Sequence, residues 1–437
     1  MRRFLVVALI HFCSLTAFTQ TTNDWLMERL RAAIECKHVD YKALIDTIQA
    51  PNKKIDPLIR SLAVIEYCRA FGEDSLALQM IDFIFSKCDD KRIEGVVWYL
   101  LDTKYELLAF NNNFVSIDSL SDYIANRWAA DSRFVERATY WKKVAQAGKG
   151  IMPVKIVRHK QETKLALERN AYGQDYMCIN VDIGKYKNRK LIVDTGLGFG
   201  TVIFRKKAID DGIALLPDST KNISASNPDI TYNMQAAVLD SLHIDGITIY
   251  NLPVSISDEE YDYGCDGFIG TADLSRLGYM ELSVDSIIFR QQIPDQRNNP
   301  NMTLYGGKRN GRVICVPYTL DGERTSFVLD TGADSFLLPQ LYADRPMILA
   351  EIGGQSIWIE AGKYPHAFVP DKNSRSYIGT PILGMFKRVC INFRDCHIDF
   401  IGKRQGKEGV WEYTNQKKEL RNYTRVQERC VNKRRTI

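Results

Sequence analysis

Two aspartates stand out by what precedes and follows them. Asp194 ends the run Leu191-Ile192-Val193-Asp194-Thr195-Gly196, and Asp330 ends Ser326-Phe327-Val328-Leu329-Asp330-Thr331-Gly332. Each apolar run reads as a buried strand, and each carboxyl sits at its end on a tight turn. A charge in such a place is costly unless it is hydrogen-bonded or shares a proton with a second acid. One Asp-Thr-Gly arises by chance in roughly one chain of this length in ten. Two in matched contexts point to two carboxyls brought together. Such a pair holds one proton between them near neutral pH, leaving a base that can activate water beside an acid that can polarise a carbonyl.

The elements needed to hold the pair also repeat. Thr201-Val202-Ile203-Phe204 follows the first triplet and Phe336-Leu337-Leu338 the second. Gly196 and Gly332 are read as the residues that let the backbone turn. Further on come Ile244-Asp245-Gly246-Ile247 and then Cys265-Asp266-Gly267-Phe268-Ile269-Gly270; their counterparts are Ile352-Gly353-Gly354-Gln355 and Ser376-Tyr377-Ile378-Gly379. Gly246 to Gly270 is 24 positions and Gly354 to Gly379 is 25. Each block runs on into a strand pair, at 278–289 and 388–400. This register is that of an internal duplication.

These residues resemble the retropepsin/pepsin-like aspartic proteases: apolar-apolar-Asp-Thr-Gly, then apolar-apolar-Gly, once per lobe. The closest likeness is to the bacterial secreted branch with both lobes fused, and it covers about Met177 to Ile401. It implies an aspartic endopeptidase in which Asp194 and Asp330 are the catalytic dyad. Thr195, Gly196, Thr331 and Gly332 would support the dyad loops, the threonines by hydrogen-bonding across the pair. It also implies a flap. Asp194 to Gly246 spans 52 positions against 24 from Asp330 to Gly354, so the first lobe has 28 additional residues there. A single flap is expected within about Asn222 to Val238, with Tyr232 its candidate aromatic. The family often carries Ser or Thr after Asp-Thr-Gly; here Leu197 and Ala333 stand in those places. Fewer donors to the ionised form should raise the pKa of the pair and make the pH optimum less acidic than that of pepsin. Asp266 is read as a turn residue.

The rest of the chain has other textures. Of 437 residues, 45% are hydrophobic and 25% charged, which suits a globular protein of two or three domains. Met1-Arg2-Arg3 followed by an apolar run to Phe18 reads as a secretory signal peptide with cleavage near Gln20, too short to span a bilayer. Ten cysteines include no Cys-x-x-Cys; Cys178 and Cys315 lie at equivalent distances before their aspartates, Cys390 and Cys396 flank a hairpin, and buried free thiols are expected for most. Between 24 and 148 the period becomes helical. Asp56-Pro57 caps a helix carrying Leu58, Leu62, Ile65 and Cys68 and stopping at Gly72, and a second begins at Ser75. Another pair, at 95–110 and 117–128, follows at an offset of 39, and a last helix runs from 134 to 148. Such pairs resemble tetratricopeptide-like (TPR-like) or other α-solenoid packing, and a small helical bundle fits them equally. Trp98, Tyr99, Trp128 and Trp141 are expected at helix contacts. From Lys403 the chain has 11 Lys or Arg against 4 Asp or Glu and is expected to be a solvated basic tail.

The expected organisation is a signal peptide (1–20), a TPR-like α-helical domain (21–148) and an all-β bilobal aspartic-protease fold with pseudo-two-fold symmetry. Its first lobe, with the flap, spans 149–297 and its second spans 298–402; the tail is 403–437. No cofactor and no metal are called for. Expected partners are a peptide or protein substrate and a protein bound by the helices, with no nucleic acid and no membrane span once the signal is removed. The protein would be secreted or periplasmic, and a monomer, since two fused lobes complete the site. The sequence has no His-Glu-x-x-His, Gly-x-Ser-x-Gly or Walker-type Gly-Lys-Ser/Thr. The alternatives are an inactive bilobal peptide-binding scaffold, or a helical segment that acts as an inhibitory pro-region.

Overall fold

The computed structural model describes residues 20–403, apart from 36, 52, 170–175, 224–230, 260–262, 306–310, 340–347 and 360–374. The apolar run 4–18 and the tail beyond 403 lie outside these residues. The N-terminal part is helical: α1 (Gln20–Ile34), α2 (Tyr41–Gln49), α3 (Pro57–Ala70), α4 (Asp74–Lys87), α5 (Asp90–Ile93), α6 (Val97–Phe110), α7 (Phe114–Arg127) and α8 (Ser132–Ala147). The first two are additions to the sequence reading, though their apolar spacing (Leu26, Leu30, Ala33; Tyr41, Leu44, Ile48) is helical and buried. Side-chain caps fix five helix starts: Asp40, Asp56, Asp89, Asn113 and Asp131 each accept a backbone N–H of the first turn. Each such cap contributes about 1 kcal/mol. At the end of α3, Gly72 takes φ +70°, the left-handed conformation that closes a helix at little cost to glycine alone. Among the described residues no helix is long and apolar enough to cross a membrane.

The remainder is β-rich, and two strands precede the expected start of its repeat: β1 (Lys155–Arg158) and β2 (Glu162–Ala166) occupy what reads as a lead-in. There follow β3 (Cys178–Ile183), β4 (Tyr186–Asp194), β5 (Thr201–Phe204), helix α9 (Arg205–Asp210), β6 (Leu215–Ile223), β7 (Thr231–Ile244), β8 (Ile247–Ser257), β9 (Gly267–Gly270), helix α10 (Thr271–Arg276), β10 (Tyr279–Leu282) and β11 (Ser286–Arg290). The second half has β12 (Cys315–Leu320), β13 (Glu323–Leu329), β14 (Phe336–Leu337), β15 (Ile348–Ile352), β16 (Gln355–Ile359), β17 (Ser376–Ile378), helix α11 (Pro381–Met385), β18 (Phe386–Asn392) and β19 (His397–Lys403).

The two halves share one strand order. The first sheet contains β5-β9-β4-β3-β7 and adds β6, β8 and β1; the second reads β14-β17-β13-β12-β15-β16. In both, the strand that ends in aspartate runs parallel to the strand before the later glycine: Asp194 lies in register with Gly270, and Leu329 with Ile378. A third sheet, β19-β18-β10-β11-β2, joins the halves, with Met280 opposite Ile391. A single apolar cluster runs through all three. The 28 additional residues of the first half are filled by α9, β6 and the start of β7.

The helices are not a detached appendage. Tyr305 of the second half is buried in the helical core, the Leu304 N–H donates to the Ala70 carbonyl at 2.7 Å, and Arg375 donates to the Lys37 carbonyl at 2.9 Å. Asn112 donates to the Asn251 carbonyl at 2.7 Å, and α8 lies against β6.

Candidate active site

The structure brings Asp194 and Asp330 together, 136 positions apart in sequence, on two turns that face each other. The lock between the turns is made by the threonines, both fully buried. The Thr195 hydroxyl donates to the Leu329 carbonyl at 2.7 Å and accepts the Thr331 N–H at 3.0 Å. The Thr331 hydroxyl donates to the Val193 carbonyl at 2.6 Å and accepts the Thr195 N–H at 3.0 Å. Only a hydroxyl can do both, and each bond crosses from one half to the other. The reason for the glycines differs from the sequence reading. Neither Gly196 nor Gly332 has a positive φ. Instead, a Cβ on Gly196 would sit 2.3 Å from the Asp330 Cγ, and one on Gly332 2.5 Å from the Asp194 Cγ. Glycine is needed because each turn packs directly on the other's carboxyl.

The two carboxyls are hydrogen-bonded to each other, on residues that are half-buried. Burial pushes both above the ordinary carboxylate range. The surroundings are unequal. Asp194 Oδ1 accepts the N–H of Gly196 and of Leu197, both at 2.9 Å, which favours its ionised form. Asp330 Oδ1 accepts the Gly332 N–H at 3.0 Å, and the charge of Asp194 pushes it higher still. The two carboxyls thus share one proton near neutral pH, and the Gly196 and Leu197 N–H groups favour the ionised form of Asp194.

Residues that the sequence reading passed over complete the frame. Thr271 and Thr380 each follow the later glycine. Thr271 donates its hydroxyl to the Thr195 carbonyl at 2.8 Å; Thr380 donates its N–H to the Ala333 carbonyl at 2.9 Å. Asp273 is buried at 1% exposure and receives the Thr201 N–H at 2.6 Å, the Thr201 hydroxyl at 2.8 Å and Arg276 at 3.2 Å. Burial pushes this carboxyl up, against the pull of Arg276 and Thr201. Its signal was in the repeat: the matched position, three after Gly379, is Ile382. Asp266 accepts the Lys190 N–H at 2.9 Å and pairs with Lys207 at 3.4 Å, a strand-end role apart from the dyad.

The hairpin β6–β7 occupies the interval expected to hold the flap, although residues 224–230 at its tip lie outside the described residues. Tyr232 is half-buried on β7 in register with Asn222, and no contact between it and the dyad is seen among the described residues. Cys178, Cys315, Cys390 and Cys396 form no disulfide among the described residues, and the Cys315 thiol donates to the Tyr305 carbonyl at 3.4 Å.

Compared with known proteins, the chain matches no family model and no curated protein. Among solved structures it is similar to a retropepsin-like aspartic protease from Rickettsia conorii, at 20% identity over 31% of this chain and 90% of that one, with a TM-score of 0.22. An overlap this partial carries no weight of its own.

Proposed function

We propose that the chain is an aspartic-type endopeptidase, with a bilobal pseudo-two-fold fold, that hydrolyses peptide bonds through a water held by Asp194 and Asp330. The observation that carries the reading is the pairing of two half-buried carboxyls on opposed turns interlocked by Thr195 and Thr331. The matching strand order of the two halves supports a common origin for the lobes. In the resting site Asp194 is the carboxylate and Asp330 the acid. A water between them gives a proton to Asp194 and attacks the peptide carbonyl carbon, while Asp330 gives its proton to the carbonyl oxygen. The resulting gem-diol collapses as a proton passes to the leaving nitrogen; the C–N bond breaks and the dyad again holds one proton.

The β6–β7 hairpin would close over the substrate as a single flap. The helices, in a TPR-like arrangement, would be a permanent part of the enzyme, since Tyr305, Leu304 and Arg375 tie them to the second lobe. A pro-region would have to break that shared core to leave. Secretion or a periplasmic location follows from the apolar N-terminal run. The test is cleavage of a denatured protein across pH, with and without pepstatin, by the wild type, Asp194→Asn and Asp330→Asn. Pepstatin-sensitive cleavage by the wild type alone is the expected result. Equal inertness of all three would favour a peptide-binding scaffold.

A further inference from the structure

A cavity of about 440 Å³ lies where the helices meet the loop that follows Asp194. Its helical wall includes Phe110 at the end of α6 and Trp141 on α8; its opposite wall includes Phe199 and Val254, and Tyr305 closes it from the second half. The volume falls within the range of ligand pockets, about 300–1,000 Å³. Phe199 is 54% exposed, and its neighbours Gly198 and Gly200 belong to the same loop as the dyad residue Asp194. Ala236, on the flap strand β7, also lines the cavity. The cavity thus borders the loop that follows Asp194 and the strand β7.

The cavity offers no net charge. Its cations are already matched: Arg69 to Glu106 at 3.1 Å, Arg276 to Asp273 at 3.2 Å, and Arg312 to Asp74. Arg276 and Arg312 are also stacked on the Phe110 ring, at 3.5 and 4.3 Å from its centre. An acidic or basic side chain would find its counter-ion occupied, whereas an apolar one would find aromatic surface. Among the described residues the Trp141 indole N–H is buried without a partner, its ring held flat against Tyr105 at 4.7 Å, and so is Asp74 Oδ1 on the same lining. A buried donor left unmade is costly, and a backbone carbonyl from outside would satisfy it.

We propose that this cavity is a distal substrate subsite built jointly by the helices and the first lobe, taking an apolar or aromatic side chain of a peptide substrate, with the Trp141 N–H donating to that peptide's backbone. The proposal rests on the proteolytic reading and extends it: the helices select substrate. Ala109, half-buried on the cavity wall, offers a way to fill it. The test compares the wild type, Ala109→Trp and Trp141→Phe on a short peptide that spans only the scissile bond and its neighbours, and on long peptides in which one phenylalanine is moved stepwise away from that bond. In the wild type one distal register should raise kcat/KM over the short peptide. Ala109→Trp should lower that long-to-short ratio about tenfold or more, and Trp141→Phe by a smaller factor.

Anisotropy of the same labelled long peptides on Asp330→Asn, with and without Ala109→Trp, separates the two readings. If the wild type cleaves and both ratio and binding ignore Ala109→Trp in a protein that melts normally, the subsite falls and proteolysis stands. If nothing is cleaved but the long peptide still binds in a manner sensitive to Ala109→Trp, proteolysis falls and the subsite stands. If Ala109→Trp fails to fold, Phe199→Ser at the exposed rim must lower the same ratio and weaken the same binding; no change there overturns the proposal.

Discussion

The two dyad turns carry the same triplet and are supported differently. The second stands on its own half: the Asp330 N–H donates to the Ile378 carbonyl, and Thr380 ties down Ala333. The first has the matching support, with the Thr271 N–H donating to the Leu197 carbonyl, and further bracing that reaches the helices. Thr201 is fixed by the buried Asp273, Asp273 by Arg276, and Arg276 reaches the Phe110 carbonyl on the helices. The Arg312 N–H donates to the Gly198 carbonyl at 3.0 Å while its guanidinium pairs with Asp74 at the start of α4. The repeated motif is therefore braced asymmetrically, and the helices reach only its first copy among the described residues. The first turn also has the longer loop, 7 positions from Asp194 to Thr201 against 6 from Asp330 to Phe336.

The largest effect expected is common to both halves. Asp194→Asn and Asp330→Asn should each lower kcat by about a thousandfold or more, since either change removes one member of the acid–base pair. Retention of kcat within tenfold by either variant would sink the dyad. Next come the interlocked threonines. Thr195→Val and Thr331→Val each lose two hydrogen bonds and leave a buried carbonyl and N–H unmet, a loss of about 2–4 kcal/mol per variant. Chemical denaturation should show similar losses for the two, because each bond crosses the interface. A loss confined to one of them would mean that the halves are not interlocked as described.

The comparison is sharpened by a pair of changes at matched positions. Asp273→Asn should lower kcat/KM by about tenfold by loosening Thr201 and the Gly198–Gly200 loop, a displacement effect of the kind that small misplacements produce. Ile382→Val, its counterpart, should change kcat/KM by less than about twofold while costing about 1 kcal/mol of stability. Because Asp273 acts through the loop, KM for the long peptides should rise more than for the short one. Equal effects on both peptides would mark it as a general structural residue.

Much of this was legible in the chain. Apolar runs ending in Asp-Thr-Gly gave strand, turn and partner, because a carboxyl at a buried strand end has few physical solutions and a repeat selects among them. The helix caps at Asp56-Pro57 and the strand pairs after Gly278 and Met385 were equally local signals. What escaped was long-range. Nothing near Gly196 in sequence says that its hydrogen faces Asp330, and nothing near Phe110 says that its carbonyl will receive Arg276. Helix α2 escaped for another reason: at nine residues its periodicity had little length in which to show, whereas α1, at 15 residues with Leu26, Leu30 and Ala33 at helical spacing, was legible and was passed over.

The smallest effect expected is a gain, and its sign follows from linkage. Burial and the neighbouring charge hold Asp330 well above its ordinary value. A carboxyl whose folded-state pKa is raised binds its proton more tightly in the folded chain, so the fold loses stability as pH climbs from the ordinary carboxylate value through the raised one. Below that window both states are protonated and the penalty is absent. Asparagine carries no proton to lose, so Asp330→Asn should melt higher than the wild type at pH 7 and together with it near pH 3. The difference should be on the order of a few degrees, at about 2–4 °C per kcal/mol for domains of 150–250 residues. Asp194→Asn should gain less, since the Gly196 and Leu197 N–H groups already favour its ionised form. Melting curves for the three proteins across pH decide this: a larger gain for Asp194→Asn would move the proton to the other half and reverse the roles of acid and base.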